Sequence, residues 1–460
     1  MLSCLLFGVY FVYIFFFQAE DGIRDPLWSR GLGMCIRDSL TGLSYGDYWF
    51  FEIRSLGGAI IMMSLVLYPY VYLMARAAFL EQSVSSIEVG CSLGYSRWQA
   101  LWKLALPMAR PAIIAGLSLA LMETLADYGT VQYYGVSTFT TGIFRTFYGY
   151  GDTAAAAQLA ASLLAFVILL VLLERYSRRR ARYHSAAESR ARADLIPLSG
   201  SKAIMACVIC LSPLMFGFII PATQLLFWAV FEAEPLGWDF VGLAWNSFSL
   251  AFLAAIIAVT LAIILSYAKR TKPIKPVRTV LAMAGFGYAL PGTIIAIGVL
   301  IPLAWLDHRL IDIFGSLGWD SPGLLLSGSL VALLFAYTVR FLAVALGSVQ
   351  SGLEKIKPSL DHVGRSMGHS PLDILRKIHV PLMRSSILTA VLIVFVDVLK
   401  ELPATLILRP FNFNTMAVRA YELASDERLV DAAPASIMIV LVGLIPVLML
   451  HASIARRRPH

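Results

Sequence analysis

The sequence predicts an all-α polytopic membrane protein built as two tandem repeats of the same orientation, and three observations carry that prediction. Of its 460 residues, 58% are hydrophobic and only 14% charged, where soluble domains carry about 25% charged residues. The mean hydropathy is +0.74, and apolar runs recur that are long enough, as helices, to cross a hydrocarbon core about 30 Å thick. The third observation is a stretch between apolar runs, EVGCSLGYSRWQALWKLALP at 88–107, whose punctuation returns in HVGRSMGHSPLDILRKIHVP at 362–381.

The chain opens with an apolar run followed by QAEDGIRDPLWSRGLGMCIRDS, which has turn residues and charges but no helix period. No basic segment precedes the run, as a signal peptide would require. It resembles translated adapter sequence, and residues 1–39 are expected to be a non-native artefact. About nine spans follow, at 56–76, 111–129, 157–173, 203–231, 246–268, 279–303, 324–347, 386–402 and 435–453. The domains are then 40–175, the remainder of a first domain with three spans; 176–202, a basic linker; and 203–460, a second domain with six spans.

The net charge of +8 could signal nucleic acid. The cations instead sit in short loops, as orientation signals do. Arg175, Arg178, Arg179, Arg180 and Arg182 follow the third span; Lys269, Arg270, Lys272, Lys275 and Arg278 form a second group; Arg456, Arg457 and Arg458 form the third. The positive-inside rule makes all three cytoplasmic, the C-terminus included. It leaves 232–244 and 304–322 outside, with Asp307, Asp312 and Asp320 in the latter. Cys207 and Cys210 are spaced as CxxC, but they lie in an apolar run and read as packing residues.

Gly94 and Gly368 stand 274 positions apart. The same shift pairs Val89 with Val363, Gly90 with Gly364, Ser96 with Ser370, Pro107 with Pro381, Glu123 with Asp397 and Asp127 with Glu401. This is an internal duplication. An even number of spans separates the copies, so the repeats are parallel rather than inverted. The first repeat then lacks three leading spans. Each stretch reads as helix, turn, helix. Ser96 caps the second helix with Gln99 in a capping box, and Pro107 closes it; Ser370 caps the other, with Pro371 first and Asp373 third. Lying on lipid headgroups would suit Trp98, Trp102 and Lys103. Two equivalent copies suggest instead two docking surfaces for a partner with two equivalent subunits.

The pattern formed by Glu88, Gly94, Leu104, Leu106 and Pro107 resembles the cytoplasmic EAA loop of binding-protein-dependent ABC importer permeases, as does that of Gly368, Ile378, Val380 and Pro381. The second copy departs by placing His362 at the acidic position, with Asp361 turned about 100° around the helix. The chain after residue 40 resembles the fused ferric-iron permeases of that superfamily in LYPYVYLMARAAFLEQ, METLADYGTVQYYGVSTFTTGIFR, ALPGTIIAIGVLIPL and KELPATLILRPFNFNTMAVRAYE. The resemblance implies a type I importer fold in a bacterial inner membrane, an external solute-binding protein (periplasmic or a lipoprotein), and a separate cytoplasmic ATPase dimer. ATP and Mg would sit on that partner, since no GxxxxGK[ST] loop occurs here. The chain would then be no enzyme, would hold no cofactor of its own and would contact lipid but no nucleic acid.

Among charges within spans, Glu123 and Asp127 share a helix face at i and i+4, as do Asp397 and Glu401. Their oxygens suit a hard cation, and pairing with Arg145, Lys400, Arg409 or Arg419 is the structural alternative. The metal ligands, if any, are unassigned. His362, His369 and His379 read as surface packing, and Thr138, Phe139, Thr140 and Thr141 as outer-loop residues within reach of a delivered solute. A fused permease for thiamine or a polyamine is the near alternative, and an ion-coupled secondary transporter the one from another class.

Overall fold

The computed structural model describes residues 54–81, 85–179, 199–235, 237–321 and 323–455. Residues 1–39, Arg180, Arg182 and the basic tail Arg456 to Arg458 lie outside the described residues, as does the side chain of Glu88. All regular structure among the described residues is helical. The first half holds α1 (Leu56–Glu81), α2 (Ser85–Ser92), α3 (Arg97–Ala126), α4 (Gly129–Tyr133), α5 (Phe139–Phe144) and α6 (Thr153–Arg179). The second holds α7 (Ser201–Glu232), α8 (Trp238–Thr271), α9 (Lys275–Ala284), α10 (Gly292–Ser316), α11 (Leu330–Glu354), α12 (Ser359–Ser366), α13 (Pro371–Leu382), α14 (Arg384–Leu399), α15 (Pro403–Leu408), α16 (Met416–Ser425) and α17 (Leu429–Ala455).

The duplication is visible in where the helices of the hairpin regions begin. A shift of 274 carries Leu56 and Ser85, the starts of α1 and α2, onto Leu330 and Ser359, the starts of α11 and α12. It also lays the π turn Leu101–Ala105 on the π turn Leu375–His379. Helices α7 to α10 have no counterpart among the described residues of the first half.

Among the described residues seven helices are long and apolar enough to cross a membrane, and the bent pair α13 and α14 makes an eighth. The ninth expected span falls in α17, where the side chains described form the shorter apolar stretch Leu429–Leu444. The second half is centred on α8, α11 and α14. On α8, Ala251, Ala255, Ala258 and Ala262 are fully buried. Small residues at this helical spacing let neighbouring backbones approach closely, which is how helices associate where lipid removes the hydrophobic drive. In the first half α1 crosses α3 at Gly116, where a Cβ would lie 2.8 Å from the Tyr70 carbonyl.

The expected span at 279–303 is corrected. The chain makes the separate helix α9, a turn, and then α10, which runs on to Ser316 and so includes Asp307 and Asp312. Gly287 lets this break lie against α11: a Cβ there would meet the Val339 carbonyl at 1.9 Å. Pro291 then precedes the first helical residue of α10. Asp307, expected in an outer loop, is fully buried and accepts hydrogen bonds from Leu326 N–H, Ser327 N–H and Ser327 Oγ at 2.9, 2.7 and 2.6 Å.

Candidate functional site

The two repeated stretches fold alike from the same local chemistry. At Gly94 φ is +87° and at Gly368 +80°, the left-handed region in which a side chain is strained. Ser96 then caps α3: its Oγ accepts from Gln99 N–H at 3.3 Å while Gln99 Oε1 accepts from Ser96 N–H at 3.1 Å. Ser370 caps α13 by accepting from Asp373 N–H at 3.2 Å. Within each hairpin the short helices cross at a glycine. A Cβ on Gly90 would lie 2.8 Å from Ala100 Cβ, and one on Gly364 would lie 2.9 Å from Ile374 Cγ1.

Leu104 and Ile378 pack on those same glycines and are half-buried. Pro107 does not close its helix as expected. Leu106 N–H donates to Leu101 C=O, five residues back, and the helix continues through Pro107 into the span. The π turn supplies an extra residue where a proline would otherwise meet the carbonyl four positions before it. Val380 and Leu375 repeat this before Pro381, but the chain then bends by 77° between α13 and α14. The first copy therefore enters the membrane as one continuous helix and the second as a broken one.

The motif positions thus build the hairpin, and other residues present its surface. Val89 and Val363 are each 53% exposed, and Leu93 and Met367 are 68% and 69% exposed. Trp98 and Leu372, also equivalent, are exposed too. Sequence reasoning passed over Leu93 and Met367. Their signal was an apolar side chain kept at the same place in two otherwise polar turns. His362 is exposed. His379 is fully buried, which corrects its assignment to the surface, and its Nε2 lies 2.6 Å from Asp361 Oδ1.

The acids of the spans divide. Neither pair shares a helix face, because α3 ends at Ala126 and α14 at Leu399. Gly129 and Pro403 follow closely, and Asp127 and Glu401 turn to cap the next short helices. Asp127 Oδ1 accepts from Thr130 N–H at 2.9 Å, and Glu401 Oε1 accepts from Ala404 N–H at 3.3 Å. Glu401 also holds Arg340 at 2.9 Å, with both side chains buried. That partner was missed, and Val66 stands in its place in the first copy. Asp397 holds Lys400 at 2.9 Å, and Glu123 accepts from Tyr288 Oη at 2.9 Å. Arg409 pairs with Glu422 instead.

A cavity of about 550 Å³ lies between the halves. Glu123, Asp127, Thr130 and Tyr133 line it from the first half, Lys400 and Tyr421 from the second. Of the four acids singled out in the sequence, Glu123 and Asp127 reach it directly, Asp397 through Lys400, and Glu401 is turned away to Arg340. No group of three or more His, Cys, Asp or Glu suited to a metal ion occurs among the described residues. The threonines are occupied locally. Thr138 caps α5, and Thr140 Oγ1 donates to the Asp127 carbonyl at 2.8 Å, which ties α5 to the cavity wall.

Residues 1–183 match the family described as binding-protein-dependent transport system inner membrane component. The chain is 26% identical to the Fe(3+)-transport system permease protein FbpB 2 of Haemophilus influenzae, over 91% of this chain and 80% of the relative. It is 22% identical to the ferric transport system permease protein FbpB of Actinobacillus pleuropneumoniae, over 91% of this chain and 63% of that one. Over 44% of this chain it is 24% identical to the putative 2-aminoethylphosphonate transport system permease protein PhnV of Salmonella typhimurium, covering 72% of that relative.

Proposed function

We infer that this chain is the membrane-spanning permease subunit of an ATP-driven, binding-protein-dependent importer, with ferric iron as its solute. The observation that carries the reading is the duplicated hairpin: two capped, glycine-turned hairpins, each presenting apolar residues at equivalent positions and each joined through a π turn to a helix leading to the cavity between the halves. A partner with two equivalent subunits would find two equivalent faces. Movement imposed there would pass along α3 and α14 to Glu123 and Lys400 on the cavity wall.

Iron is supported by the relatives' names over most of the chain and by carboxylate oxygens at the cavity, which suit a hard cation. The cytoplasmic ATPase dimer would carry ATP and Mg, and a solute-binding protein would deliver the iron at the far side. The permease would lie in a bacterial inner membrane with its C-terminus in the cytoplasm, on the side of the hairpins. The chain is a conduit rather than a catalyst.

The test is uptake of radioactive ferric iron into proteoliposomes holding this chain with its ATPase and solute-binding protein. Uptake that needs ATP and the binding protein, and that competes with ferric iron but not with thiamine, polyamines or aminoethylphosphonate, supports the reading. Uptake driven by an ion gradient without ATP would replace it with a secondary transporter.

A further inference from the structure

We propose that Arg270, Asp361 and His379 form a latch that ties the second hairpin to α8 and α11 and makes it a rigid transmitting arm, a device whose acid and imidazole have no equivalent at the matching positions of the first hairpin. The proposal rests on the permease reading above. Arg270 sits at the last turn of α8 and uses its whole fork. Nε donates to Asp361 Oδ2 at 2.7 Å, Nη1 to the Leu353 carbonyl at 2.6 Å and Nη2 to the Ile356 carbonyl at 2.9 Å. Leu353 is in the last turn of α11 and Ile356 just beyond it, where carbonyls lose their helical donors and a cation is favoured.

Asp361 opens α12, and on its other side Oδ1 lies 2.6 Å from Nε2 of the buried His379, from the far end of the hairpin, a close contact outside hydrogen-bond geometry. One turn back on α8, Tyr267 Oη donates to the Pro371 carbonyl at 2.7 Å, and its ring meets His379 edge-on at 5.4 Å between centroids. The end of α8 therefore grips the hairpin at α12 and at the start of α13, with the His379 ring packed between Asp361 and Tyr267. It grips the end of α11 with the same Arg270 side chain.

The repeat shows what is special here. Counted back by 274, Asp361 falls on Ile87 and His379 on Ala105, neither of which carries a carboxylate or an imidazole. The second hairpin's acid stands one residue before the motif position and is consumed inside the chain. The first keeps Glu88 at the motif position. Asp361 is thus a positioning residue, and its role is to keep displacement of the hairpin from being absorbed at the 77° bend before α14.

The full complex in proteoliposomes tests this through ATP hydrolysed per ferric ion delivered. Asp361→Asn keeps the side chain's size and removes the charge that Arg270 and His379 face. The ratio should rise about fivefold, within the range seen for coupling residues that touch neither ligand, while the ATPase stays bound. A purely structural loss would lower the number of working complexes without moving the ratio, so an unchanged ratio overturns the latch. If Asp361→Asn does not assemble, Arg270→Lys serves instead, since it keeps the charge and loses the fork. Hydrogen exchange in the chain without partners separates this from failure of the permease reading. Faster exchange at 359–382 in Asp361→Asn, with 85–107 unchanged, supports the latch even if no iron moves, and unchanged exchange at 359–382 sinks it.

Discussion

The two hairpins share a fold and differ in wiring. Caps, turn glycines, crossing glycines and π turns match position by position across 274 residues. What surrounds them does not match. The first hairpin runs straight into α3, whereas the second is clamped by Arg270 and then bends. The acids further along split the same way: Asp127 faces the cavity and caps α4, while Glu401 caps α15 and binds Arg340 out of water. Local backbone chemistry survives duplication because short-range hydrogen bonds depend on a few adjacent residues. Long-range pairs need partners from other elements, and those diverge first.

The largest expected effect breaks the comparison at the acids. Arg340→Ala leaves Glu401 charged and buried, which costs about 3–5 kcal/mol when one member of a buried pair is removed. Thermal unfolding in detergent should register it. Val66→Ala, the equivalent change in the first half, should cost less than about 1.5 kcal/mol at its exposed site. Equal losses would mean that the Arg340 pair is not what separates the halves.

Next come the crossing glycines. Gly90→Leu and Gly364→Leu each drive a side chain into a contact under 3.0 Å, and overpacking of that kind costs about 1–3 kcal/mol. Protease resistance of each hairpin should fall in both variants alike, because this part of the device is shared. A loss in only one would show that the hairpins are not the same fold under load.

Gly94→Leu and Gly368→Leu should do less harm, about 1–2 kcal/mol for a left-handed residue with a side chain. Nothing lies within 4 Å of either added Cβ, so the cost is backbone strain and not collision within the chain. Coupled uptake should fall more for Gly94→Leu, whose hairpin carries Glu88 and has Ile87 and Ala105 where the second has Asp361 and His379. The smallest effect is Ser96→Ala against Ser370→Ala, each about 1 kcal/mol for a lost cap, read by hydrogen exchange over the first turn of α3 and of α13. The Ser96 loss should be the more visible of the two, since Arg270 still holds the second hairpin.

Much of this was legible in the residues. Ser96 with Gln99, Ser370 with Asp373, and Gly94 with Gly368 announced both hairpins, because capping and left-handed turns are written within a few positions. The repeat gave the correspondence of Asp127 with Glu401, but not their fates. Glu401 meets Arg340 from 61 positions away, and Asp361 meets Arg270 from 91; nothing periodic marks such a pair. The interruption before α10 was hidden for a similar reason. Gly287 is one glycine among 33, and only the Val339 carbonyl lying against it shows why that position in the break has no side chain.

The claim that most needs testing is that the two hairpins are matched docking faces for the two subunits of one partner. The direct measurement is hydrogen exchange of the full chain with and without the ATPase dimer, compared at 85–107 and 359–382. Protection of both segments on binding, centred on Leu93 and on Met367 and lost together when the ATPase is removed, is the predicted result. Protection of one segment alone, or of neither while the ATPase remains bound, would contradict it and leave the unprotected hairpin as a helix pair lying on lipid.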